Sequence, residues 1–320
     1  MSLGRSFKLS SGYDIPAVGL GTWLSKPHEV ENAVEAALRA GYRHIDAAAC
    51  YLNENEVGNG WKKSGISREQ IFITSKLWNT HHHPGHIEEA LDKTLKDLQT
   101  DYLDLYLIHW PVAFEHTNET LTPIDPITKR FRLADVPISD TWKVLEQLVE
   151  KGKIRSIGVS NFTIEKLENL LKTAKITPAV NQIEAHPYLQ QAELTQYSKD
   201  KNILTVAYSP LGNNIYNAPR VVDDPTVQEI ASKLGKDPAA VLISWAVQRG
   251  TAVLPKSVTP SRIESNFQDF VIPESEFKVL DKLDRNQRYN YPFRWGIDVF
   301  GELGAEEAER RAEENAAKQR

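Results

Sequence analysis

The amino-acid sequence predicts an α/β protein, a (β/α)8 (TIM) barrel with an N-terminal β-hairpin and long loops at its active-site end. Three observations carry this. Eight apolar β-type runs alternate with segments of helical period, the pattern of parallel strands joined by crossover helices. Runs such as "LDLYLIH" suit a strand covered on both faces, as in a parallel sheet. The chain has 320 residues, and barrels of this class routinely run past ~250 residues as one domain. Alternation also allows an open doubly wound sheet, but eight units fit a closed barrel better.

A hairpin-like start, "FKLSSGYDIPAVGLG", leads into the strands. These are "VGLGT" (18–22), "HID" (44–46), "IFITSK" (71–76), "LDLYLIH" (103–109), "SIGVS" (156–160), "AVNQIE" (179–184), "LTVAYS" (204–209) and "AVLPKS" (252–257). Between them, Val30, Ala33, Val34, Ala37 and Leu38 form one face of a helix that Gly41 ends. Ile87, Ala90, Leu91, Leu95 and Leu98 form another. Thr163 caps "IEKLENLLKTA", and Gly152 and Gly235 end their helices.

Three connections are too long for simple links: 111–138, 210–224 and 285–301. They hold Phe114, Tyr216, Tyr289, Tyr291, Phe293, Trp295 and Phe300, as binding walls or lids do. Residues 1–301 are expected to form the single barrel domain. Residues 302–320, "ELGAEEAERRAEENAAKQR", read as a charged extension, either a frayed helix or disordered.

Composition narrows the class. Apolar residues make up 41% and charged ones 25%, with net charge −5 and pI near 6.0, so no nucleic-acid partner is expected. No apolar run reaches the ~20 residues of a membrane span, and "MSLGRSFKLSSG" lacks a signal peptide's apolar core. A cytoplasmic monomer or weak dimer acting on a small molecule is expected. Cys50 is the only cysteine, which excludes an internal disulfide and a cysteine-based zinc cage.

Polar residues close every proposed strand: Thr22, Asp46, Lys76, His109, Ser160 with Asn161, Gln182, Tyr208 with Ser209, and Lys256 with Ser257. In an α/β barrel the C-terminal strand ends converge on the active site. Within that ring Asp46, Tyr51, Lys76 and His109 form a chemical group. A phenol of pKa ~10 is a poor acid at neutral pH, and a nearby ammonium lowers that value. Lys76 is assigned that part, with Asp46 pairing it and His109 orienting a substrate oxygen. Tyr51 is then the proton donor to a forming alkoxide.

Such a donor, with no nucleophilic Ser, reactive Cys or metal site beside it, calls for hydride from a nicotinamide. Tyr208 suits stacking on the ring, and Ser160, Asn161 and Gln182 suit its carboxamide. "LPKSVTPSRIESN" places Lys256, Ser257, Thr259 and Arg262 around a helix start, with Thr259 as N-cap and Pro260 at N1. Two cations there favour the 2′-phosphate of NADPH over NADH.

These segments resemble the aldo-keto reductase family. "GYRHIDAAACYLNENEVG" (41–58) is similar to its barrel signature, "LIHWP" to its histidine strand, "GVSNF" to its fifth strand end, and "LPKSVTPSRIESN" to its cofactor-phosphate motif. The resemblance implies a (β/α)8 barrel that reduces aldehydes or ketones with NADPH, using Asp46, Tyr51, Lys76 and His109. It also implies that Trp23 and Trp110 line the substrate pocket, that Leu211 lies in the loop over the cofactor, and that Asn266 contacts adenine. A departure is Ser265, with Glu264 one place earlier, where many members carry glutamate before that asparagine. "VGLGTW" and "SKLWNT" are similar to fungal and yeast reductases of glyceraldehyde and small sugars, so a polyhydroxylated aldehyde is the expected substrate.

Two alternatives remain. One is a cofactor-binding barrel with a regulatory or structural role and little turnover. The other is a short-chain-dehydrogenase-like oxidoreductase using Tyr197 and Lys201, but "VGLGTWLSKPHEV" lacks the glycine spacing which that fold needs. The run "HHHPGH" (His81, His82, His83, His86) reads as a solvated loop and no metal is expected. Cys50 would be oxidation-sensitive if Lys76 lowered its pKa, but no catalytic role is assigned to it.

Overall fold

The computed structural model describes residues 2–117, 119–212 and 218–318. Strands β1 (Ser6–Lys8) and β2 (Asp14–Pro16) form an antiparallel hairpin. β3 (Leu20–Gly21), β4 (His44–Asp46), β5 (Phe72–Leu77) and β6 (Leu103–Ile108) begin the barrel. β7 (Ala113–Phe114) and β8 (Leu133–Ala134) pair within the first long loop. β9 (Ile154–Ser160), β10 (Val180–Glu184), β11 (Leu204–Tyr208) and β12 (Ala252–Leu254) complete it.

The eight barrel strands run parallel in the order β3, β4, β5, β6, β9, β10, β11, β12. Parallel bridges from Val18 to Val253 and from Gly21 to Lys256 then join the two edges. The sheet is therefore a closed barrel, as the eight runs predicted, and the doubly wound alternative is set aside. The last strand stops at Leu254 because Pro255 has no N–H to continue the ladder.

Strand periodicity explains why the polar residues gather at one end. Leu9, just past β1, and Ile15 of β2 plug the bottom and pack with Phe72, Leu105, Leu107, Val180, Val206 and Leu254 inside the barrel. Side chains two residues further along a strand share its face. That step carries Phe72 through Thr74 to Lys76, Leu107 to His109, Val180 to Gln182, Val206 to Tyr208 and Leu254 to Lys256. The middle layer is polar at His44, whose Nε2 lies 3.3 Å from Thr74 Oγ1. Gly19 is required beside it, since a Cβ there would sit 2.7 Å from His44 Nδ1.

The opposite strand faces pack on the outer helices in a second, larger core. Helix Glu29–Ala40 buries Val30, Ala33, Val34, Ala37 and Leu38 and ends at Gly41, whose φ is 111°. Thr163 caps its helix by accepting from the Lys166 N–H. Tyr197 and Lys201 of the short-chain-dehydrogenase alternative belong to helix Ala192–Asp200 and its C-cap, with Lys201 Nζ stacked 5.7 Å from its own helix's Tyr197 ring. At the barrel's other end Asp104 bridges Arg68 at 2.7 Å and Arg155 at 3.0 Å.

The tail takes the helical of its two expected forms, with one buried face. Ala305–Ala317 is a helix that buries Ala308, Ala312 and Ala316. Alanines every four residues make a narrow apolar stripe, easily overlooked among so many charges. Tyr216 lies outside the described residues. Among the described residues no helix is long and apolar enough to cross a membrane.

Candidate active site

The site is built at the C-terminal strand ends. Asp46 closes β4, and a single 3-10 turn, Ala49–Tyr51, brings Tyr51 back over it. Leu52 ends that turn in the left-handed region at φ 58° and leaves its side chain exposed. Such a conformation is costly for a side chain with a Cβ and persists only where surrounding contacts enforce it.

Lys76 is fully buried, and its ammonium uses all three of its hydrogens. They go to Asp46 Oδ2 at 2.7 Å, Ala47 O at 2.8 Å and the Tyr51 hydroxyl at 3.3 Å. Asp46 Oδ1 accepts from Gln182 Nε2 at 2.8 Å, so both carboxylate oxygens are engaged. Tyr51 accepts from Lys76, which leaves its own O–H directed elsewhere. The expected acidification does not hold in this arrangement. Burial, then the Asp46 charge, pushes the Tyr51 phenol well above its ordinary value, because Lys76 is already paired with the nearby carboxylate.

His109 faces Tyr51 edge-on with ring centroids 5.8 Å apart. Burial first, and the Lys76 charge second, hold it well below the ordinary imidazole value, so the ring is neutral. Its Nδ1 lies 3.5 Å from Cys50 Sγ. Burial pushes the Cys50 thiol up despite Lys76, the opposite of the expected sensitisation. The S–H therefore persists beside Nδ1, a contact compatible with the tautomer that carries its hydrogen on Nε2.

The residues assigned to a cofactor are brought together, though their hydrogen bonds are largely internal. Thr22 Oγ1 donates to Asp46 O at 2.8 Å, and Ser160 Oγ to Gln182 O at 2.8 Å. Asn161, at φ 64°, donates to His109 O at 3.0 Å and Ser160 Oγ at 3.1 Å, and accepts from the Tyr208 hydroxyl at 2.7 Å. Ser209 accepts from Asn290 at 3.2 Å, and Leu211 packs on the outer core.

At the last strand Lys256 Nζ donates to Leu24 O at 3.0 Å. Ser257 Oγ accepts from the Thr259 N–H at 3.1 Å. Thr259 occupies the N-cap position of helix Pro260–Asn266 but makes no side-chain cap hydrogen bond, which corrects that expectation. Arg262 is exposed beside Lys256 on the same short stretch, and Asn266 is buried. This donor set fits a dinucleotide. Amide and hydroxyl groups stand at the mouth, and two accessible cations with no carboxylate between them in "KSVTPSR" lie at the rim.

The walls are aromatic. Trp23 sits 6.5 Å from the Tyr51 ring and is 37% exposed, at the pocket's edge. Trp110 stacks 6.4 Å from His109 and packs on Trp295 at 5.0 Å and Phe300 at 6.0 Å. The sequence reading missed Trp78, 5.3 Å from His109. It stands two residues past Lys76, and the same strand period that placed Lys76 inside would have found it.

Buried acids were missed too. Glu54 accepts from Ser75 Oγ at 2.5 Å and from Thr94 Oγ1 at 3.0 Å. Glu184 accepts from His186 Nε2 at 2.9 Å and from the Tyr289 and Asn290 N–H groups at 2.7 and 2.8 Å, fastening the C-terminal segment to β10. No local pattern marks these carboxylates, since the partners of Glu54 stand 21 and 40 positions away and the Tyr289 and Asn290 partners of Glu184 stand 105 and 106 away. His81, His86 and His116 do cluster, with His86 and His116 stacked at 3.6 Å. Among the described residues, however, no group of His, Cys, Asp or Glu is arranged to hold a metal ion.

A model described as "Aldo/keto reductase family" matches residues 17–285. The chain is 44% identical over 316 residues to a D/L-glyceraldehyde reductase of Hypocrea jecorina, covering 94% of this chain and 95% of that one. It is 45% identical over 306 residues to aldo-keto reductase family 1 member A1 of Gallus gallus, covering 91% and 93%. A solved aldose reductase of Schistosoma japonicum superposes with a TM-score of 0.87 at 42% identity, covering 92% of this chain and 98% of that one. The chain is an oxidoreductase of carbonyls and alcohols and belongs to the aldo/keto reductase family.

Proposed function

We propose that the protein reduces aldehydes with NADPH, small polyhydroxylated ones such as glyceraldehyde or an aldose foremost, and that Tyr51 is the proton donor. One observation carries the reading: Lys76 holds Asp46 at 2.7 Å and the Tyr51 hydroxyl at 3.3 Å in a buried cluster faced by a neutral His109. The glyceraldehyde reductase of Hypocrea jecorina supports the substrate class.

A nicotinamide held at the barrel mouth would supply the hydride for the carbonyl carbon. His109 donates from Nε2 to the carbonyl oxygen and fixes its direction. The Tyr51 O–H, free of Lys76 on that side, gives its proton to the same oxygen as negative charge develops. Lys76 then stabilises the phenolate left behind, and Asp46 keeps the ammonium oriented. Trp23 and Trp110 wall off water on the substrate side. Tyr208 would stack on the nicotinamide and Ser160, Asn161 and Gln182 would hold its carboxamide, with Thr22, Ser209 and Leu211 along the cofactor's path. Lys256, Ser257, Thr259 and Arg262 would take the 2′-phosphate, and Asn266 the adenine. The cations favour NADPH over NADH because only NADPH offers them that phosphate.

The test is the fall in NADPH absorbance with DL-glyceraldehyde and a panel of aldehydes. Binding of NADPH with no aldehyde-dependent oxidation would instead support a binding module with little turnover.

A further inference from the structure

We propose that Arg130 and Glu309 are positioning residues for the carbonyl substrate: the tail helix, through this ion pair, holds the Phe293–Gly296 turn and so sets Trp295 in the pocket wall. The inference rests on the reading of Trp295 and Trp110 as walls of a reductase pocket.

The contact is built from three separate stretches of chain. Arg130, in the first long loop, makes a bidentate pair with Glu309 of the tail helix, Nη1 to Oε1 at 2.7 Å and Nη2 to Oε2 at 2.8 Å. The pair lies directly on Gly296, where a Cβ would meet Arg130 Nη2 at 2.2 Å and Glu309 Oε2 at 2.8 Å. Gly296 has φ +70°, so both backbone and space require glycine. Arg311 of the tail helix covers the Phe293 ring at 4.5 Å, and Arg294 covers Phe131 of the first loop at 5.3 Å. The turn between them is thus held from above by the helix and from the side by the loop.

Asp298 aims the helix. Its carboxylate accepts from the N–H groups of Gly301, Glu302, Leu303 and Gly304 at 2.7 to 3.1 Å, and from the Tyr291 hydroxyl. That fixes the turn which launches Ala305–Ala317. From the turn, packing runs inward. Trp295 touches Phe114 at 5.1 Å, Trp110 at 5.0 Å and Trp78 at 6.4 Å, and Trp78 lies 5.3 Å from His109. A displacement of the turn must move Trp295 against rings that border the reacting oxygen, whereas Lys76, Tyr51 and the Lys256 region sit on other elements. The ion pair therefore acts on substrate fit and leaves proton transfer and cofactor affinity alone.

The experiment measures kcat and KM for DL-glyceraldehyde and for NADPH in wild type, Glu309→Gln, Arg130→Met, and the swapped pair Arg130→Glu with Glu309→Arg, with hydrogen exchange of residues 293–296 as a readout independent of turnover. The expected result is an aldehyde KM raised roughly three- to tenfold in each single variant. NADPH KM and kcat should stay within about twofold, exchange of the turn should quicken, and the swapped pair should restore both readouts. If Arg130→Met does not fold, Glu309→Gln and the swap decide. An active wild type whose variants exchange faster with unchanged aldehyde KM overturns the positioning role. A wild type in which no aldehyde accelerates NADPH oxidation overturns the reductase reading, and the substrate role with it.

Discussion

The Lys76 ammonium and the Tyr51 hydroxyl stand 3.3 Å apart, with lysine donating and the phenol oxygen accepting. A hydrogen bond in that sense stabilises a phenolate more than a phenol, so it grows stronger as the proton leaves. Burial meanwhile keeps the phenol protonated before reaction. Tyr51 is thus a loaded donor whose conjugate base has a waiting partner.

Replacing Tyr51 by Phe should lower kcat by about 10²- to 10⁴-fold, the usual worth of a positioned acid. NADPH affinity should hardly change, because the hydroxyl serves Lys76 and the reacting oxygen and is assigned no contact with the cofactor. Steady-state rates with fluorescence titration of NADPH separate the two. A variant keeping half the wild-type kcat refutes the assignment. Since the folded phenol titrates above its ordinary value, it loses its proton only in strongly alkaline solution, and kcat should show no fall from this group up to about pH 9.

Lys76→Met removes the cation but leaves Asp46 buried at 4% exposure. An unpaired buried carboxylate costs about 3–5 kcal/mol, so denaturant midpoints should drop sharply. Adding Asp46→Asn should recover most of that stability without recovering turnover. Recovery of kcat in the double variant would show that the charge does not serve the chemistry.

Much of this architecture was legible because barrel and strand impose short periods. Strand boundaries placed Lys76, His109, Gln182 and Tyr208 at or near the C-terminal strand ends, and the period of two explains why they share the inner face. Tyr51 needed more, since its return over Asp46 depends on a 3-10 turn and a left-handed Leu52. What sequence reading could not reach depends on distant partners. Glu184 meets Tyr289 and Asn290, and Glu309 meets Arg130 across 179 positions. The sign of the Tyr51 shift was equally hidden, because it turns on burial against the Lys76 charge, and burial is a property of the fold.

Cys50 should be a sluggish nucleophile. Burial raises its thiol far from the reactive range, and only thiolate alkylates. Iodoacetamide at pH 8 should label it at least about tenfold more slowly than a free thiol. Cys50→Ala removes the thiol that stands 3.5 Å from His109 Nδ1, so its effect should appear in aldehyde kcat/KM with NADPH affinity unchanged. Rapid labelling with full loss of activity would contradict both statements.

Arg262→Ala tests the phosphate end. Arg262 is exposed on the first turn of Pro260–Asn266, and Lys256, whose ammonium burial pulls below its ordinary value, stands nearby. The variant should weaken NADPH by roughly tenfold, about 1.4 kcal/mol, and NADH by less than about twofold. Isothermal titration with both nucleotides measures this directly. Equal losses would place the 2′-phosphate elsewhere.

Glu54 couples pH to stability. It lies between Ser75, next to Lys76 on β5, and Thr94 of the helix Pro84–Leu98. Burial, opposed by those hydroxyl hydrogen bonds, pushes its carboxyl up to about 7 from an ordinary value of 4.5. The folded state therefore holds the proton more tightly than the unfolded chain. Its contribution is fully present below about pH 4.5, declines as pH rises through the interval, and is gone once pH passes about 7. Glu54→Gln carries no charge to desolvate. Urea unfolding at pH 5 and pH 8 should show the variant gaining on wild type by on the order of 2–4 kcal/mol at the higher pH. A gap that stays constant across that range would mean that Glu54 is ionised in the folded protein at pH 5, and that its two hydroxyl partners outweigh its burial.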